Sequence, residues 1–342
     1  LHFALGGNEA QPLAGWILQP MVPRQETISV VIPTWKGREH LASLLPSLVA
    51  QTLQPLEVMV IDGASADGSR EISISLGARF VELDRSAGFA VAVNAGLSLA
   101  KGQFAAVLNN DIKLDSRWLE RLIAVNAPFA CGKVLQWERP THIDATWDLL
   151  SASGVPLRCG HGKKDGQYWN RSRAISLAPW TAILLRRDYW RAVGDLDESF
   201  ESYLEDVDYG LRGAELGFSG TYVPEAIAWH RGSATLGEWH PRQVRLSSRN
   251  QLLLIAKHGG RQWFQRFGRE VLFGQLLWGI AAARRGQGRA WLSGKFEALQ
   301  QKEKVQWTAK REQLLHDLNS EIFALEAATG MERFWRYYWA QL

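Results

Sequence analysis

Phe104-Ala105-Ala106-Val107-Leu108-Asn109-Asn110-Asp111 is an apolar run that ends abruptly in two amides and a carboxylate. The apolar part is short and continuous, which is typical of a strand buried on both faces of a parallel sheet. Open α/β sheets bind ligands beyond the carboxyl ends of their strands, so Asp111 would lie where a ligand binds. The alternative interpretation of this stretch alone is a polar turn, because Asn and Asp favour turns.

Strands and helices alternate in the sequence around this stretch. A β-branched run at 28–33 predicts a strand, and apolar residues at helical spacing over 41–49 predict a helix. Further strands are predicted at 56–61 and 79–83, and a helix over 86–100. Such alternation predicts right-handed crossover connections and an α/β fold whose sheet is mainly parallel, with flanking helices.

Polar residues end three of the predicted strands, at Thr34-Trp35, Asp62-Gly63 and Asn109-Asn110-Asp111. The carboxyl ends of neighbouring parallel strands meet at one edge of the sheet, so we expect these clusters to line one crevice. Their shared placement favours a functional site over three unrelated turns.

The chain beyond the opening stretch is less regular. Residues 136–178 are rich in glycine and charge and are predicted to form long irregular loops, which in compact domains are often functional. A strand at 180–185, a helix at 187–193 and a strand at 221–223 are predicted to follow.

Three carboxylates, Glu205, Asp206 and Asp208, lie where a further helix is predicted to begin. The helix dipole alone favours acidic residues there, by about 0.3–1 kcal/mol each at exposed sites. If the three lie close together, like-charge repulsion would raise the proton affinity of Asp206. His230 is predicted to lie at a turn, where a lone histidine is more often structural than functional.

A series of ordered landmarks makes residues 28–233 resemble glycosyltransferase family 2. The landmarks are 31–37 (VIPTWKG), 61–69 (IDGASADGS), 88–96 (GFAVAVNAG), 108–111 (LNND), 197–200 (DESF), 203–208 (YLEDVD) and 230–233 (HRGS). The pattern most resembles bacterial enzymes that include rhamnosyltransferases of surface polysaccharide synthesis in the cell envelope. The resemblance implies the GT-A fold, a Rossmann-like sheet with flanking helices.

The resemblance also implies an activity. An inverting enzyme of the hexosyltransferase type would move a sugar from a nucleotide-diphosphate sugar to a hydroxyl of a glycan or lipid-linked acceptor, with Mn²⁺ or Mg²⁺. In such a displacement a carboxylate takes the proton of the acceptor hydroxyl, and positive charge stabilises the departing diphosphate.

Individual roles follow from the same resemblance. Asp206 matches the catalytic base, Asp111 matches the metal-binding carboxylate of a DXD-type motif, and His230 matches a histidine that completes the metal shell in some members. Asn109 stands where the first acidic residue of that motif is common, so fewer charged ligands are expected, and His230 would favour Mn²⁺. The residues predicted to contact the donor nucleotide are Pro33, Thr34, Trp35, Asp62, Gly88, Asn94 and Asn110. The residues predicted to form an acceptor or acidic cluster are Glu205, Asp208 and Trp180.

The composition and charge of the chain argue against several other classes of protein. Among 342 residues, 46% hydrophobic, there are only two cysteines, which argues against a disulfide framework and favours a reducing compartment such as the cytoplasm. Residues 240–342 hold 17 Lys and Arg against 8 Asp and Glu. These basic residues form no recognised nucleic-acid motif, and no nucleic-acid partner is expected.

Three segments are predicted: an N-terminal extension over 1–26 without signal-peptide features, a catalytic domain over 27–240 and a helical C-terminal region over 241–342. The apolar run at 271–283 is shorter than the roughly 20 residues that span a membrane. Surrounding arginines and aromatic residues favour either peripheral contact with the inner face of the cell membrane through 261–300 or packing within the protein or a homo-oligomer.

Two other functions are weighed against sugar transfer. A nucleotidyltransferase usually carries a glycine- and arginine-rich phosphate loop after its first strand, which residues 33–39 match poorly. A non-catalytic nucleotide-sugar binding module would not need Asp206.

Overall fold

The structure is a computed structural model that describes residues 26–84, 88–232, 239–299 and 307–341. Most of the predicted N-terminal extension, the start of the predicted helix over 86–100, and Ser233 lie outside these ranges. The strands are β1 (Ile28–Thr34), β2 (Glu57–Asp62), β3 (Arg79–Glu82), β4 (Phe104–Leu108), β5 (Ile112–Leu114), β6 (Phe129–Gln136), β7 (Ile143–Ala145), β8 (Asp148–Leu150), β9 (Pro156–Arg158), β10 (Arg173–Ile175), β11 (Ala182–Arg186) and β12 (Gly220–His230). The helices are α1 (Arg38–Val49), α2 (Ser69–Ser75), α3 (Phe89–Leu99), α4 (Trp118–Ile123), α5 (Arg187–Val193), α6 (Glu205–Glu215), α7 (Pro241–His258), α8 (Gly260–Arg284), α9 (Gly288–Leu299), α10 (Ala309–Thr329) and α11 (Arg333–Ala340).

The main sheet has the strand order β10-β12-β6-β11-β4-β1-β2-β3. Strands β4, β1, β2 and β3 run parallel to one another, as do β6 and β12, while β11 lies antiparallel between β4 and β6. The opening stretch forms β4, near the middle of the sheet, and all five of its residues are buried. The prediction of a mainly parallel α/β sheet with flanking helices is confirmed.

Apolar residues cover both faces of the sheet. All seven residues of β1 are buried, and Val31 packs into one hydrophobic cluster while Val30 and Ile32 pack into the other. This explains why the strand sequences are continuously apolar instead of alternating with polar residues.

Residues 136–178 differ from the prediction of long irregular loops. They contain the end of β6, strands β7 to β10 and a short 3₁₀ helix at Gln167–Asn170. Strands β8 and β9 form a separate antiparallel ribbon. A strand of three residues is too short to show a period in sequence, which is why these elements were not predicted.

Strand β12 is longer than the strand predicted at 221–223, because it continues to His230 and pairs there with β5 and β6. His230 therefore ends a strand in the sheet, not at a free turn, and its position is fixed by backbone pairing on both sides.

The C-terminal helices begin with α7 at Pro241, whose first turn is capped by the His240 side chain accepting a hydrogen bond from Arg242 N at 3.2 Å. Leu315, Leu318, Ile322 and Leu325 of α10 are buried in the same hydrophobic cluster as residues of the sheet. The division into separate regions at residue 240 stays a prediction. Within the ranges that the structure describes, no helix is long and apolar enough to cross a membrane.

Candidate active site

A cleft of about 530 Å³ opens at the carboxyl ends of β1 and β4. Its sheet wall consists of Pro33, Thr34, Trp35, Asn109, Asn110, Asp111 and His230, and its loop wall consists of Asp148, Pro156, Arg158, Tyr203, Leu204, Glu205 and Asp206. Gly88 and Trp180 also line the cleft. Among the predicted site residues, Asp62, Asn94 and Asp208 are not part of the lining.

The sheet wall is built from tight contacts between strand ends. Asn110 Nδ2 donates a hydrogen bond to Thr34 Oγ1 at 2.7 Å, which joins the ends of β4 and β1. A Cβ at Gly37 would collide with both of these side chains, and a Cβ at Gly88 would collide with the carbonyl of Glu201. Glycine is required at both positions by this close approach.

Asp62 lies beside the cleft, directly across from Thr34 in the β1–β2 pairing. It is fully buried, and its Oδ2 atom accepts a hydrogen bond from Ser65 N at 2.6 Å. Its Oδ1 atom has no hydrogen-bond partner among the described residues. Buried carboxylate oxygens are rarely left unpaired, so this atom is suited to accept a hydrogen bond from a ligand.

Asn94 lies on α3 and holds the chain before α6. Its side chain donates to the Leu196 carbonyl and accepts from Leu196 N, both at 2.9 Å, and it donates to Glu198 at 3.3 Å. All the side-chain hydrogen bonds that the structure describes for Asn94 are with these two residues. This indicates a structural role for Asn94 instead of the predicted contact with the donor.

Asp111 and His230 meet at the far end of the sheet wall. His230 Nε2 lies 3.2 Å from Asp111 Oδ1, and His230 Nδ1 lies 2.8 Å from Asp144 Oδ2. Two ligands about 2.1 Å from one cation and at right angles lie about 3.0 Å apart, so Asp111 and His230 fit a shared divalent cation. Asp144 would act as the carboxylate that orients a metal-binding histidine through its other ring nitrogen.

The charges of this trio support each other. Burial would lower the pKa of His230, but its hydrogen bonds to Asp111 and Asp144 raise the pKa to about 9. Burial would raise the pKa of Asp111 and Asp144, but the hydrogen bond and charge of His230 bring both below their ordinary values.

A cation at this position would need further ligands. No group of three or more His, Cys, Asp and Glu is arranged to hold a metal ion within residues 26–84, 88–232, 239–299 and 307–341. Mg²⁺ is often held by one or two protein ligands together with substrate phosphates and water. Two protein ligands are therefore compatible with a metal ion whose remaining ligands would come from the donor diphosphate and water.

Asp206 lies in the first turn of α6, directly after a strained loop. Glu201, Tyr203 and Leu204 have positive φ values of 60°, 71° and 70°. This region is costly for residues other than glycine, typically by about 1–3 kcal/mol each, and such strain persists only where the surroundings impose it.

The surroundings that impose this loop conformation come from α7. Asn250, which is fully buried, donates from Nδ2 to the carbonyls of Phe200 at 2.9 Å, Ser202 at 2.9 Å and Tyr203 at 2.7 Å. Arg249 donates to Glu201 Oε1 at 2.6 Å and to the carbonyl of Ser199 at 2.8 Å. The C-terminal helix α7 thus holds the segment that positions Asp206.

Asp206 and Glu205 both have raised proton affinity. Burial raises the pKa of Asp206 above its ordinary value, while the positive charge of Arg158 opposes the increase. Burial, together with the charge of Asp206, raises the pKa of Glu205 to about 8. The expected increase at Asp206 is present, but its main cause is burial instead of repulsion within the acidic cluster.

Asp208 points away from the cleft, which differs from its expected place beside Asp206. Its carboxylate is fully buried and lies 2.8 Å from His258 Nε2, 2.9 Å from Lys257 Nζ and 3.0 Å from Arg212 Nε. Burial would raise the pKa of Asp208, but these cations bring it far below its ordinary value. Asp208 therefore joins α6 to α7.

Several residues of this site were not predicted from the sequence: Asp144, Asp148, Arg158, Arg249 and Asn250. Asp148 and Arg158 lie in the region expected to be loops, and Asn250 lies in a tail with no recognised chemistry. The one available signal was the position of Asn250 directly ahead of the apolar residues 252–256, since an amide buried there would have several hydrogen-bond partners.

The sheet topology and the cleft define a GT-A fold, and comparison with a solved structure agrees. A crystal structure of GalNAc-T7 with UDP, GalNAc and Mn²⁺ matches with a TM-score of 0.59 and 14% identity, covering 87% of this chain and 58% of that chain. At this identity the likeness concerns the fold alone, and the chain spans little more than half of that solved protein.

Sequence comparison gives the family. Residues 29–127 match the model of glycosyl transferase family 2, so this part of the chain is a glycosyltransferase domain of that family. The N-acetylglucosaminyl-diphospho-decaprenol L-rhamnosyltransferase of Mycobacterium tuberculosis is 24% identical over 293 residues, which cover 73% of this chain and 91% of that protein. Glycosyltransferase AglE of Haloferax volcanii is 24% identical over 229 residues, which cover 64% of this chain and 71% of AglE.

Proposed function

We propose that the protein is an inverting, metal-dependent glycosyltransferase that moves a sugar from a nucleotide-diphosphate sugar to a hydroxyl of a glycan or lipid-linked acceptor. The observation that carries the proposal is that Asp206 and the Asp111–His230 pair line one cleft. One wall offers a base with raised proton affinity, and the other offers a place for a diphosphate.

The sheet wall would hold the donor. Asp62 Oδ1 would accept a hydrogen bond from the nucleobase, and the backbone at Pro33, Thr34 and Trp35 would hold the nucleoside, with the Asn110–Thr34 hydrogen bond fixing the strand ends. Asp111 and His230 would hold Mn²⁺ or Mg²⁺, which supplies positive charge for the diphosphate as it leaves.

The loop wall would carry the proton transfer. Asp206 accepts the proton of the acceptor hydroxyl as its oxygen forms a bond to the anomeric carbon, and the bond from that carbon to the diphosphate oxygen breaks. A positioned base of this kind typically contributes about 10²–10⁴-fold to the rate. Because the attack and the departure occur on opposite faces of the carbon, the anomeric configuration is inverted.

The relatives suggest the class of acceptor. The name of the Mycobacterium tuberculosis relative specifies an acceptor sugar joined through a diphosphate to a polyprenol, and an L-rhamnosyl group as the sugar transferred. We extend this to a lipid-linked glycan acceptor and to a role in polysaccharide synthesis for the present chain. The location that fits such an acceptor is the cytoplasm, at the inner face of the cell membrane.

The hairpin of α8 and α9 supports contact with that membrane. Seven apolar side chains on these two helices are 39–70% exposed, namely Phe264, Leu272, Leu276, Ile280, Leu292, Phe296 and Leu299. The exposed Arg284, Arg285 and Arg289 lie where the two helices connect. Apolar side chains flanked by basic residues favour an anionic lipid surface.

Co-sedimentation with liposomes that contain anionic lipid tests the membrane contact. We expect the wild type to bind and the double substitution Leu272→Glu with Leu276→Glu to remove binding. If these substitutions instead convert a dimer to a monomer in analytical ultracentrifugation, without any lipid binding by the wild type, the exposed face is a homo-oligomer contact.

A thermal-shift panel of nucleotide sugars with Mn²⁺ first identifies the donor. The central experiment then compares substitutions of two neighbouring carboxylates, Asp206 and Asp208. Asp206→Asn should reduce transfer by about 10²–10⁴-fold with donor affinity retained. Asp208→Asn is the matched control: it should lower the melting temperature, because it breaks a buried ion pair. Full activity of Asp206→Asn would exclude Asp206 as the base.

The nucleotidyltransferase alternative makes a different product. It would release pyrophosphate from a nucleoside triphosphate and a sugar phosphate, whereas sugar transfer releases a nucleoside diphosphate. Identification of the released nucleotide by chromatography separates the two activities.

A further inference from the structure

The β8–β9 ribbon contributes Asp148 and Arg158 to the loop wall of the cleft. These two residues are directly opposite each other in the antiparallel pairing. Side chains of directly opposed residues project from the same face of a ribbon, with Cβ atoms about 4.5–5.5 Å apart. The ribbon therefore presents one carboxylate and one guanidinium side by side to the cleft.

Asp148 is buried without a partner. Its side chain is only 5% exposed, and its Oδ1 atom has no hydrogen-bond partner within the part of the chain that the structure describes. Burial raises the pKa of Asp148 to about 7, which Arg158 opposes and Asp206 and Asp144 strengthen. A buried carboxylate without a donor indicates that a ligand supplies the missing hydrogen bond.

Arg158 is exposed, and its guanidinium forms no ion pair or hydrogen bond with any described residue. Its charge acts on Asp148, Asp144, Asp206 and Tyr203. A guanidinium carries five N–H donors in a fixed plane, and here they remain available to a molecule in the cleft.

The place of this pair relative to Asp206 identifies which substrate it faces. A general base must lie within about 2.6–3.2 Å of the hydroxyl whose proton it takes. The charges of both Asp148 and Arg158 act on Asp206, and all three residues line the same cleft. They therefore border the acceptor.

The Asp148 carboxyl group beside Arg158 decides between a phosphate and a neutral sugar. Asp148 lies directly across the ribbon from Arg158, and its Oδ1 atom lacks a hydrogen-bond donor among the described residues. An ionised phosphate has no hydrogen to donate to this oxygen, whereas the hydroxyls of a sugar ring both donate and accept hydrogen bonds.

We propose that Asp148 and Arg158 form a subsite for the sugar ring of the acceptor, in which the carboxylate accepts and the guanidinium donates hydrogen bonds to neighbouring ring hydroxyls. This inference rests on the proposed function and assigns the recognised group as a neutral glycosyl unit instead of the lipid diphosphate.

The C-terminal helices hold the ribbon in place. Trp263 Nε1 donates to the Ala152 carbonyl at 2.8 Å, and Ala152 N donates to Asn319 Oδ1 at 3.0 Å. Gln275 Nε2 donates to the Ser153 carbonyl at 2.8 Å. Helices α8 and α10 thus fix the turn of the ribbon, which gives the tail a role in acceptor recognition.

The experiment measures the KM of acceptor and donor separately for Asp148→Ala, Asp148→Asn and Arg158→Gln, with Arg79→Gln on the exposed edge strand β3 as the control. The acceptor probe is N-acetylglucosaminyl diphosphate with a short prenyl tail, and the donor is the one that the nucleotide-sugar panel selects. We expect Asp148→Ala and Arg158→Gln to raise the acceptor KM about 10- to 100-fold and the donor KM less than about twofold. Asp148→Asn, which keeps the hydrogen-bonding shape, should have the smallest effect of the three.

A second acceptor, the same sugar with an alkyl group in place of the prenyl diphosphate, separates sugar from phosphate recognition. The effect of Arg158→Gln should be equal with both acceptors; its disappearance with the alkyl glycoside would overturn the proposal in favour of a phosphate contact. An unchanged acceptor KM in both Asp148→Ala and Arg158→Gln, or a raised donor KM, would also overturn it. If Asp148→Ala does not fold, the exposed Arg158 decides the outcome. Absence of transfer by the wild type with either acceptor would instead count against the proposed function.

Discussion

The two walls of the cleft are built in different ways. The sheet wall places Thr34, Asn110 and Asp111 at the ends of strands whose neighbours are fixed by a buried parallel sheet. The loop wall places Asp206 after a strained loop that Asn250 of a distant helix holds in position. In the proposed mechanism, binding of the donor thus depends on a rigid scaffold, while proton transfer depends on a loop held by long-range hydrogen bonds.

This difference predicts separate effects of substitutions on the two walls. Substitutions on the sheet wall should impair donor and metal binding, while those on the loop wall and its supports should change turnover or acceptor recognition with donor affinity retained. The following experiments test that separation, from the largest expected effect to the smallest.

Substitution of the metal-binding pair should have the largest effect. Asp111→Asn removes the carboxylate proposed to bind the cation, and a bound cation is worth several kcal/mol of transition-state stabilisation, so we expect turnover to fall by about 10³-fold. Donor affinity in the presence of Mn²⁺, measured by calorimetry, should fall as well. If activity is unchanged in a chelator such as EDTA, Asp111 and His230 do not bind a metal ion that the reaction needs.

Substitution of Asn250 tests the support of the loop wall. Asn250→Ala removes three hydrogen bonds to the loop carbonyls before Asp206. Displacement of a catalytic group by about 1 Å can reduce the rate about 10²-fold, and we expect kcat to fall to that extent with donor affinity unchanged.

Hydrogen exchange at residues 199–206 provides the structural control for Asn250→Ala, since faster exchange should accompany the loss of kcat. Gln265→Ala on the exposed face of α8 serves as the matched amide deletion. A lower melting temperature with full kcat would show that Asn250 supports stability alone.

The pH dependence of turnover reports on Asp206. Its pKa is raised by burial, and only the deprotonated carboxylate can take a proton, so activity should rise with pH along an acid limb whose midpoint lies above 3.8. Arg158→Gln removes a positive charge that stabilises the ionised form of Asp206. The pKa of Asp206 should therefore rise, and the acid limb of the pH profile should move to higher pH. A limb that moves to lower pH in this variant, measured as kcat/KM at saturating Mn²⁺, would contradict the electrostatic assignment.

Asn94 should give the smallest effect on donor binding. Its hydrogen bonds go to Leu196 and Glu198, outside the lining of the cleft. Asn94→Ala should therefore lower stability by about 1–3 kcal/mol while donor affinity changes less than about twofold. A large loss of donor affinity, with the melting temperature maintained, would restore the donor contact expected from the sequence.

The sheet wall was more predictable from sequence than the loop wall. Thr34, Asp62 and Asp111 follow apolar strands directly, so their approximate place is set by local pattern and by the parallel arrangement. Asp206 and His230 were predicted only through the family resemblance, although His230 ends a strand instead of lying at a turn.

The supports of the loop wall depend on contacts that local pattern does not encode. Asp144 and His230 are 86 residues apart, and Asn250 is 47 residues from the Tyr203 carbonyl that it binds. The same limit explains Asp208: residues two apart on a helix do not share a face, so its side chain leaves the cleft and pairs with His258.

The anomeric configuration of the product tests the central claim most directly, because a direct displacement with Asp206 as the base inverts the configuration at the anomeric carbon. Proton NMR of the newly formed glycosidic bond, compared with the donor, gives this configuration in one measurement. The proposed roles of Asp206 as the base and of Asp111 and His230 at the departing diphosphate predict inversion. A product that retains the configuration of the donor would contradict it.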